Sequence, residues 1–225
     1  MPADEQREEE RVLRDGSRIL LREVRPSDKD AIAAGFERLS PESRYRRFFT
    51  AMSRLSDADL RYLTEVDHFD HEAVLAFTRE GEPVGVARYV RIEGPSQAEV
   101  AVAVVDDWQN RGAGTALLER LVERARENGI ERFIATVLQE NDEALELFRS
   151  VSPGDPNPRR TGLGQVELVI DLPQDGIRGT LLGRALRSAA SGRVEIHPWR
   201  LIKQRLAAIA ELRTPREDQE NRPDR

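Results

Sequence analysis

Glu99-Val100-Ala101-Val102-Ala103-Val104-Val105, then Asp106-Asp107-Trp108, then Gln109-Asn110-Arg111-Gly112-Ala113-Gly114-Thr115: the fold is read outward from this stretch. The run Ala98–Val105 is almost continuously apolar, which predicts a strand buried on both faces. Beyond the glycines, Leu117, Leu118, Leu121, Val122 and Ala125 recur at helical spacing and predict a helix over Ala116–Asn128, with Gly129 as its stop. A strand, a glycine turn and a helix in that order make an anion site. The first amides of the helix lack partners, and the helix dipole adds positive potential there. Gly112 and Gly114 clear side chains from the approach, and Arg111 adds charge. A glycine pair before a helix is also met in plain tight connections, so the surrounding elements must decide.

Upstream, Asp15-Gly16 is a turn signal and Arg18–Val24 a β-rich run. Ser27 with Asp30 resembles a capping box ahead of a helix carrying Ala31, Ile32, Gly35, Phe36 and Leu39. Ser40-Pro41 supplies an N-cap and a first-turn proline for a helix over Glu42–Thr50. Ser56 and Asp59 start a third helical segment. Ala73–Thr78 and Val84–Ile92 flank the turn Glu80-Gly81-Glu82-Pro83 and read as a hairpin. Downstream come a strand at Arg132–Leu138, a helix at Asp142–Val151, a Pro/Gly/Arg-rich loop at 152–164 and a strand at Val166–Leu172. The domain plan is a flexible charged N-terminus at 1–13, a folded domain at 14–173, a basic helical appendage at 174–213 and a disordered tail at 214–225.

Composition narrows the function classes. Apolar residues are 39% and charged residues 34% of 225, with no run near the roughly 20 apolar residues of a spanning helix. The first residues are acidic and lack a secretory apolar segment, so a soluble cytoplasmic protein is expected. There is no cysteine, which excludes disulfides and thiolate nucleophiles. The net charge of −6 argues against nucleic acid as a partner. The segment Arg178–Arg213 runs the other way, with eight basic residues against Glu195 and Glu211. Packing of its apolar stripes on the parent domain is the favoured reading. An anionic membrane surface and a second copy of the chain are the alternatives.

Gln109, Gly112 and Gly114 fit the Q/R-x-x-G-x-G/A signature, and with the strand–loop–helix setting the chain resembles the GNAT N-acetyltransferases. Asn141, Ala144 and Leu147 resemble that family's second conserved segment. The resemblance implies a mixed, splayed α/β (α+β) sheet of about six to seven strands flanked by helices. It implies acetyl-CoA as co-substrate, with no metal, and direct transfer to an amine in a ternary complex. The acceptor would be a small molecule or a protein lysine. Main-chain groups of Val104 and Val105 would hold the pantetheine arm. The loop from Gln109 and Asn110 through Arg111, Gly112, Ala113, Gly114 and Thr115 would hold the pyrophosphate. Asn141 would contact the arm or brace the strands. A narrower likeness covers Ser43-Arg44-Tyr45-Arg46-Arg47-Phe48-Phe49 and Leu55 to His68. It looks like bacterial Pat-type protein lysine acetyltransferases, which often carry a further cyclic-nucleotide or synthetase-like domain that a chain of this length does not accommodate.

Acetyl transfer to an amine needs a base for the ammonium proton and stabilisation of the carbonyl oxygen. Glu99 is the candidate base, acting through a water, with Ala101 and Ala103 leaving room on its strand face. In the Pat-like enzymes a Glu at the corresponding place is the proposed base. The competing reading pairs Glu99 with Arg88 or Arg91 across the hairpin. Many family members have Tyr as general acid where this chain has Phe148. A thiol of pKa about 8.5 leaves without one, yet the change also motivates the rival reading of a non-catalytic acyl-CoA sensor. Tyr45 and His68 are candidate acceptor-site residues. His68 with His71 lacks the further ligand a metal site needs.

Overall fold

A computed structural model describes residues 8–48, 53–92, 94, 96–138, 159–162 and 165–172. Strands β1 (Glu9–Val12) and β2 (Arg18–Glu23) precede three helices, α1 (Lys29–Glu37), α2 (Pro41–Phe48) and α3 (Asp57–Thr64). Then come β3 (His71–Phe77), β4 (Pro83–Arg91), β5 (Gln97–Val104), α4 (Ala113–Glu127), β6 (Arg132–Leu138), β7 (Arg159–Gly162) and β8 (Gln165–Asp171). The strands form one sheet in the order β1-β2-β3-β4-β5-β6-β8-β7. All neighbours are antiparallel except β5 and β6.

The sheet has eight strands against the six or seven expected, and two of them are not legible in the sequence. β1 lies within the span read as flexible, and β7 within the span read as loop. β1 alternates half-buried and exposed residues along a charged sequence, so it carries no hydrophobic signal. It is held as an edge by ladder bonds to β2 and by the burial of Leu13 beneath it. Glu9–Val12 therefore belongs to the sheet, ahead of Arg14. Phe148, Asn141, the helix expected at Asp142–Val151 and the segments 174–213 and 214–225 lie outside the described residues.

The two faces of the sheet are packed differently. Ala98, Val100, Val102 and Val104 of β5 join Leu117, Leu118 and Leu121 of α4 in one core. Strand alternation sends Glu99, Ala101 and Ala103 to the other face, where Ile32 of α1 and Leu63 of α3 pack on Ala73, Leu75 and Phe77 of β3. Local signals set the helix starts. The Ser56 hydroxyl accepts the Asp59 N–H at 3.2 Å while the Asp59 carboxylate accepts the Ser56 N–H at 2.8 Å, the reciprocal box expected there. Ahead of α1 the box falls on a single 3-10 turn, Pro26–Asp28, and α1 itself has no side-chain cap. Asp28, not Asp30, accepts the Arg25 N–H at 2.7 Å, and both its oxygens take the Arg22 fork at 2.7 Å. Burial acts to raise the Asp28 pKa, but the Arg22 fork and Arg25 together outweigh it and the pKa is lowered.

The β4–β5 pairing needs a glycine. A Cβ on Gly85 would sit 2.6 Å from the Ala103 carbonyl oxygen and 3.1 Å from Leu117. Neither backbone nor a fully buried leucine yields easily in a close-packed core. Gly85→Ala is expected to cost about 1–3 kcal/mol, read as a lower midpoint in urea unfolding; an unchanged midpoint would show that these strands can part freely.

Candidate active site

The site begins where two strands separate. β5 and β6 pair only at Gln97↔Arg132, Ala98↔Phe133 and Glu99↔Ile134. Beyond that point β6 continues along β8 as far as Leu138, and among the described residues no strand pairs with this edge of β5. Glu99 thus stands at the vertex of a wedge-shaped gap. The Val105 N–H donates to the Val84 carbonyl at 3.0 Å. Alternation along the antiparallel ladder then turns the N–H and C=O of Val102 and Val104 toward the gap. Val105 presents neither group to it, because its carbonyl also accepts the Trp108 N–H at 2.9 Å. Of the two residues expected to hold the arm, Val104 therefore turns its main-chain groups to the gap and Val105 does not.

At the wide end of the gap lies the glycine turn. Asn110 and Gly112 take left-handed backbone angles, φ 60° and 100°. Gly112 caps α4 without any side-chain cap, and the first bond inside the helix is Ala116 N–H to the Gly112 carbonyl at 3.1 Å. The N–H groups of Ala113, Gly114 and Thr115 precede that bond and have no partner within the helix. No acid stands in the first turn of α4. Thr115 is 9% exposed as a residue, and its buried hydroxyl has no hydrogen-bond partner among the described residues. Three amides, an orphaned hydroxyl and the dipole of a 15-residue helix fit a diphosphate.

The side chains of the turn do less direct work than their positions suggest. Arg111 stacks over Trp108 at 4.1 Å and pairs with Asp15. The Ser17 hydroxyl, and then Arg111, hold the Asp15 carboxyl down at about 2. Arg111 thus fastens the turn to the β1–β2 connection. Gln109 donates to the Val104 carbonyl at 3.1 Å, bracing the loop against β5. Asp106 reaches back to α2. Its oxygens accept the Ser40 N–H and the Ser43 hydroxyl, both at 2.6 Å. The turn is thereby tied to the α1–α2 connection. Arg14 was missed in the sequence. Its Cγ and Nε lie 3.6 and 3.9 Å from where a Gly112 Cβ would be, which sets a cation beside the turn. Neither contact has a short-range signal, since the partners are far apart in the chain.

Glu99 is 8% exposed, on the sheet face away from α4. The guanidiniums offered as its cross-hairpin partners also bond other groups. Arg91 pairs with Asp70 at 2.7 Å and donates to the Asn128 carbonyl at 2.8 Å. Arg88 donates to His71 Nε2 and to the Leu63 carbonyl, each at 3.1 Å. Tyr45 falls within α2, but its side chain lies outside the described residues.

His68 does not join the site. Its Nδ1 is 2.8 Å from Glu72 Oε1, and Glu72 also accepts Arg124 of α4 at 3.1 Å, on the side of the sheet away from Glu99. His71 belongs to the opposite face beside Arg88, so the two histidines do not converge on one ligand. The Glu72 hydrogen bond raises the His68 pKa above its ordinary 6.5, against the opposing effect of burial. A raised folded value means that the stabilisation is complete below the unfolded pKa and is lost as pH rises through the folded one. Thermal midpoints should therefore fall between pH 6 and 8.5 in the wild type by more than in His68→Asn. Asn tolerates the φ of 59° at this position. Equal pH slopes would remove His68 from this linkage.

Comparison with known proteins agrees with this geometry. The family model described as "Acetyltransferase (GNAT) family" matches residues 36–151. The chain is 39% identical over 132 residues to acetyltransferase Pat of Mycolicibacterium smegmatis, covering 57% of this chain and 39% of that protein. It is 34% identical over 123 residues to an acetyltransferase of Pseudomonas aeruginosa, covering 53% of this chain and 66% of that protein. The chain thus spans less than two thirds of either relative. The crystal structure of the GNAT domain of S. lividans PAT superposes with a TM-score of 0.64 at 35% identity, covering 73% of this chain and 97% of that one. With a model matching half its length, a strand gap beside a glycine turn and a mixed sheet flanked by helices, the chain belongs to the acetyltransferase (GNAT) family.

Proposed function

We propose that the chain is an acetyl-CoA-dependent N-acetyltransferase acting on a primary amine, with a protein lysine among the acceptors to test. The observation that carries this reading is the parting of β5 from β6 immediately beyond Glu99, in line with the amide-rich start of α4. The amides of Ala113, Gly114 and Thr115 with the Thr115 hydroxyl take the diphosphate. The main-chain groups of Val102 and Val104 take the amide-bearing arm as a strand takes its neighbour. The thioester then lies near the vertex. Glu99 accepts a proton from the acceptor ammonium through a water, which frees the amine lone pair. The neutral amine forms the C–N bond, the C–S bond breaks, and the second proton lost by the nitrogen passes through solvent to the departing thiolate. N–H donors facing the gap offset the charge that develops on the carbonyl oxygen.

Incubation of the full chain with acetyl-CoA, a panel of amines and lysine peptides, followed by mass spectrometry, should show acetylated product. Acetyl-CoA binding without product from any amine would leave a binding protein in place of an enzyme. The turn has its own test. A Cβ at the left-handed Gly112 costs about 1–2 kcal/mol, so Gly112→Ala should weaken acetyl-CoA binding by about tenfold in calorimetry while α4 stays folded. Unaltered affinity would detach the turn from the diphosphate.

A further inference from the structure

The apolar space between α1, α3 and the sheet holds an anomaly that acetyl transfer does not use. A small cavity of about 60 Å³, open at its mouth, is lined by Ile32 and Phe36 of α1, Leu63 of α3, Leu75 of β3 and Val86 of β4. Arg88 also lines it and is the one charged residue among the described lining. Arg88 is 1% exposed. Its two hydrogen bonds go to neutral acceptors, His71 Nε2 and the Leu63 carbonyl. Because a guanidinium only donates, His71 must accept at Nε2 and carry its proton on Nδ1. The Arg88 Nε–H is buried with no acceptor, and among the described residues Arg88 makes no ion pair.

Buried charges are ordinarily paired, because withdrawing one from water costs several kcal/mol. Burial lowers the Arg88 pKa to about 10, so the group is still a cation at neutral pH. The site therefore combines a preformed, partly open apolar slot with one guanidinium that has no ion-pair partner at its wall, an arrangement suited to small-ligand recognition. We infer that this cavity binds a short-chain aliphatic carboxylate, its carboxylate on Arg88 and its chain among Ile32, Phe36, Leu39 and Leu75. A carboxylate supplies the missing countercharge and an acceptor for Nε–H. The aliphatic chain matches the remaining lining, which offers a second polar group nothing to bond. Ala103 and Val105 of β5 also line the cavity, on the sheet face that carries Glu99, but the carboxylate position on Arg88 does not depend on acetyl transfer being the function.

The test is calorimetry of the full chain with hexanoate, hexanol, hexylamine and 6-aminohexanoate. Hexanoate should bind once per chain, and the other three at least tenfold more weakly. Arg88→Met keeps length and removes the charge, and should abolish the preference for hexanoate over hexanol. Ala31→Phe fills the slot from α1, leaves Arg88 in place and should abolish hexanoate binding while acetyl-CoA binding persists. It also keeps the question decidable if Arg88→Met does not fold. No saturable hexanoate binding at millimolar concentration would overturn the inference. So would equal binding of hexanol, or hexanoate binding that survives Ala31→Phe.

Discussion

Glu99→Gln should lower acetyl-transfer turnover by about 10²–10⁴-fold, the range for loss of a positioned general base, and leave acetyl-CoA affinity within about twofold. The substitution keeps the shape of the side chain at the vertex of the β5–β6 gap and removes only its ability to accept the ammonium proton. The cofactor groups sit further along β5 and at α4, so they are untouched. The loss should shrink as pH rises, because more acceptor amine is then already deprotonated. A turnover unchanged at pH 7 would remove Glu99 from catalysis. A parallel loss of affinity would make it a structural brace of the strand fork instead.

Glu72→Ala should produce the largest loss of stability. Glu72 is 0% exposed and its carboxylate is shared three ways. It accepts the Ala73 N–H at 2.9 Å, His68 Nδ1 at 2.8 Å and Arg124 Nε at 3.1 Å. Removing one partner of a buried charge pair typically costs about 3–5 kcal/mol. Arg124 retains Glu23 at 2.9 Å, which places the expected loss near the lower end, about 3 kcal/mol. For a chain of this size that lowers the thermal midpoint by roughly 6–12 °C. The control is Glu127→Ala on the same arginine. Glu127 is exposed, so its pair with Arg124 contributes under about 1 kcal/mol. Comparable losses from the two would show that burial does not set the worth of this network.

The sequence made β5, the turn and α4 legible for a physical reason: each carries a local signal. β5 is a continuous apolar run, α4 has a clean helical stripe, and Gly112 adopts the left-handed angle its type suggests. The predicted helix start at Ala116 fell three residues late because Ala113, Gly114 and Thr115 look like turn and yet are already helical. β1 was hidden because an edge strand of glutamates and arginines has the composition of a frayed terminus. His68 was misplaced by its neighbourhood in the chain. It lies in a connection near the expected acceptor region, but the left-handed turn at φ 59° delivers its ring to Glu72 on the other face. Asp106 and Arg88 owe their roles to contacts with α2, α3 and β3, which no periodicity encodes. Val105 was assigned to the gap by its place after the strand, and a single ladder bond to Val84 decides against it.

The central claim is that the fork at Glu99 and the start of α4 together hold an acyl-CoA. Its most direct test is calorimetric titration of acetyl-CoA into the full chain. The account predicts saturable binding of one acetyl-CoA per chain, with free pantetheine competing weakly because it lacks the diphosphate. Absence of binding up to millimolar acetyl-CoA, or binding of pantetheine as tight as that of acetyl-CoA, would contradict it.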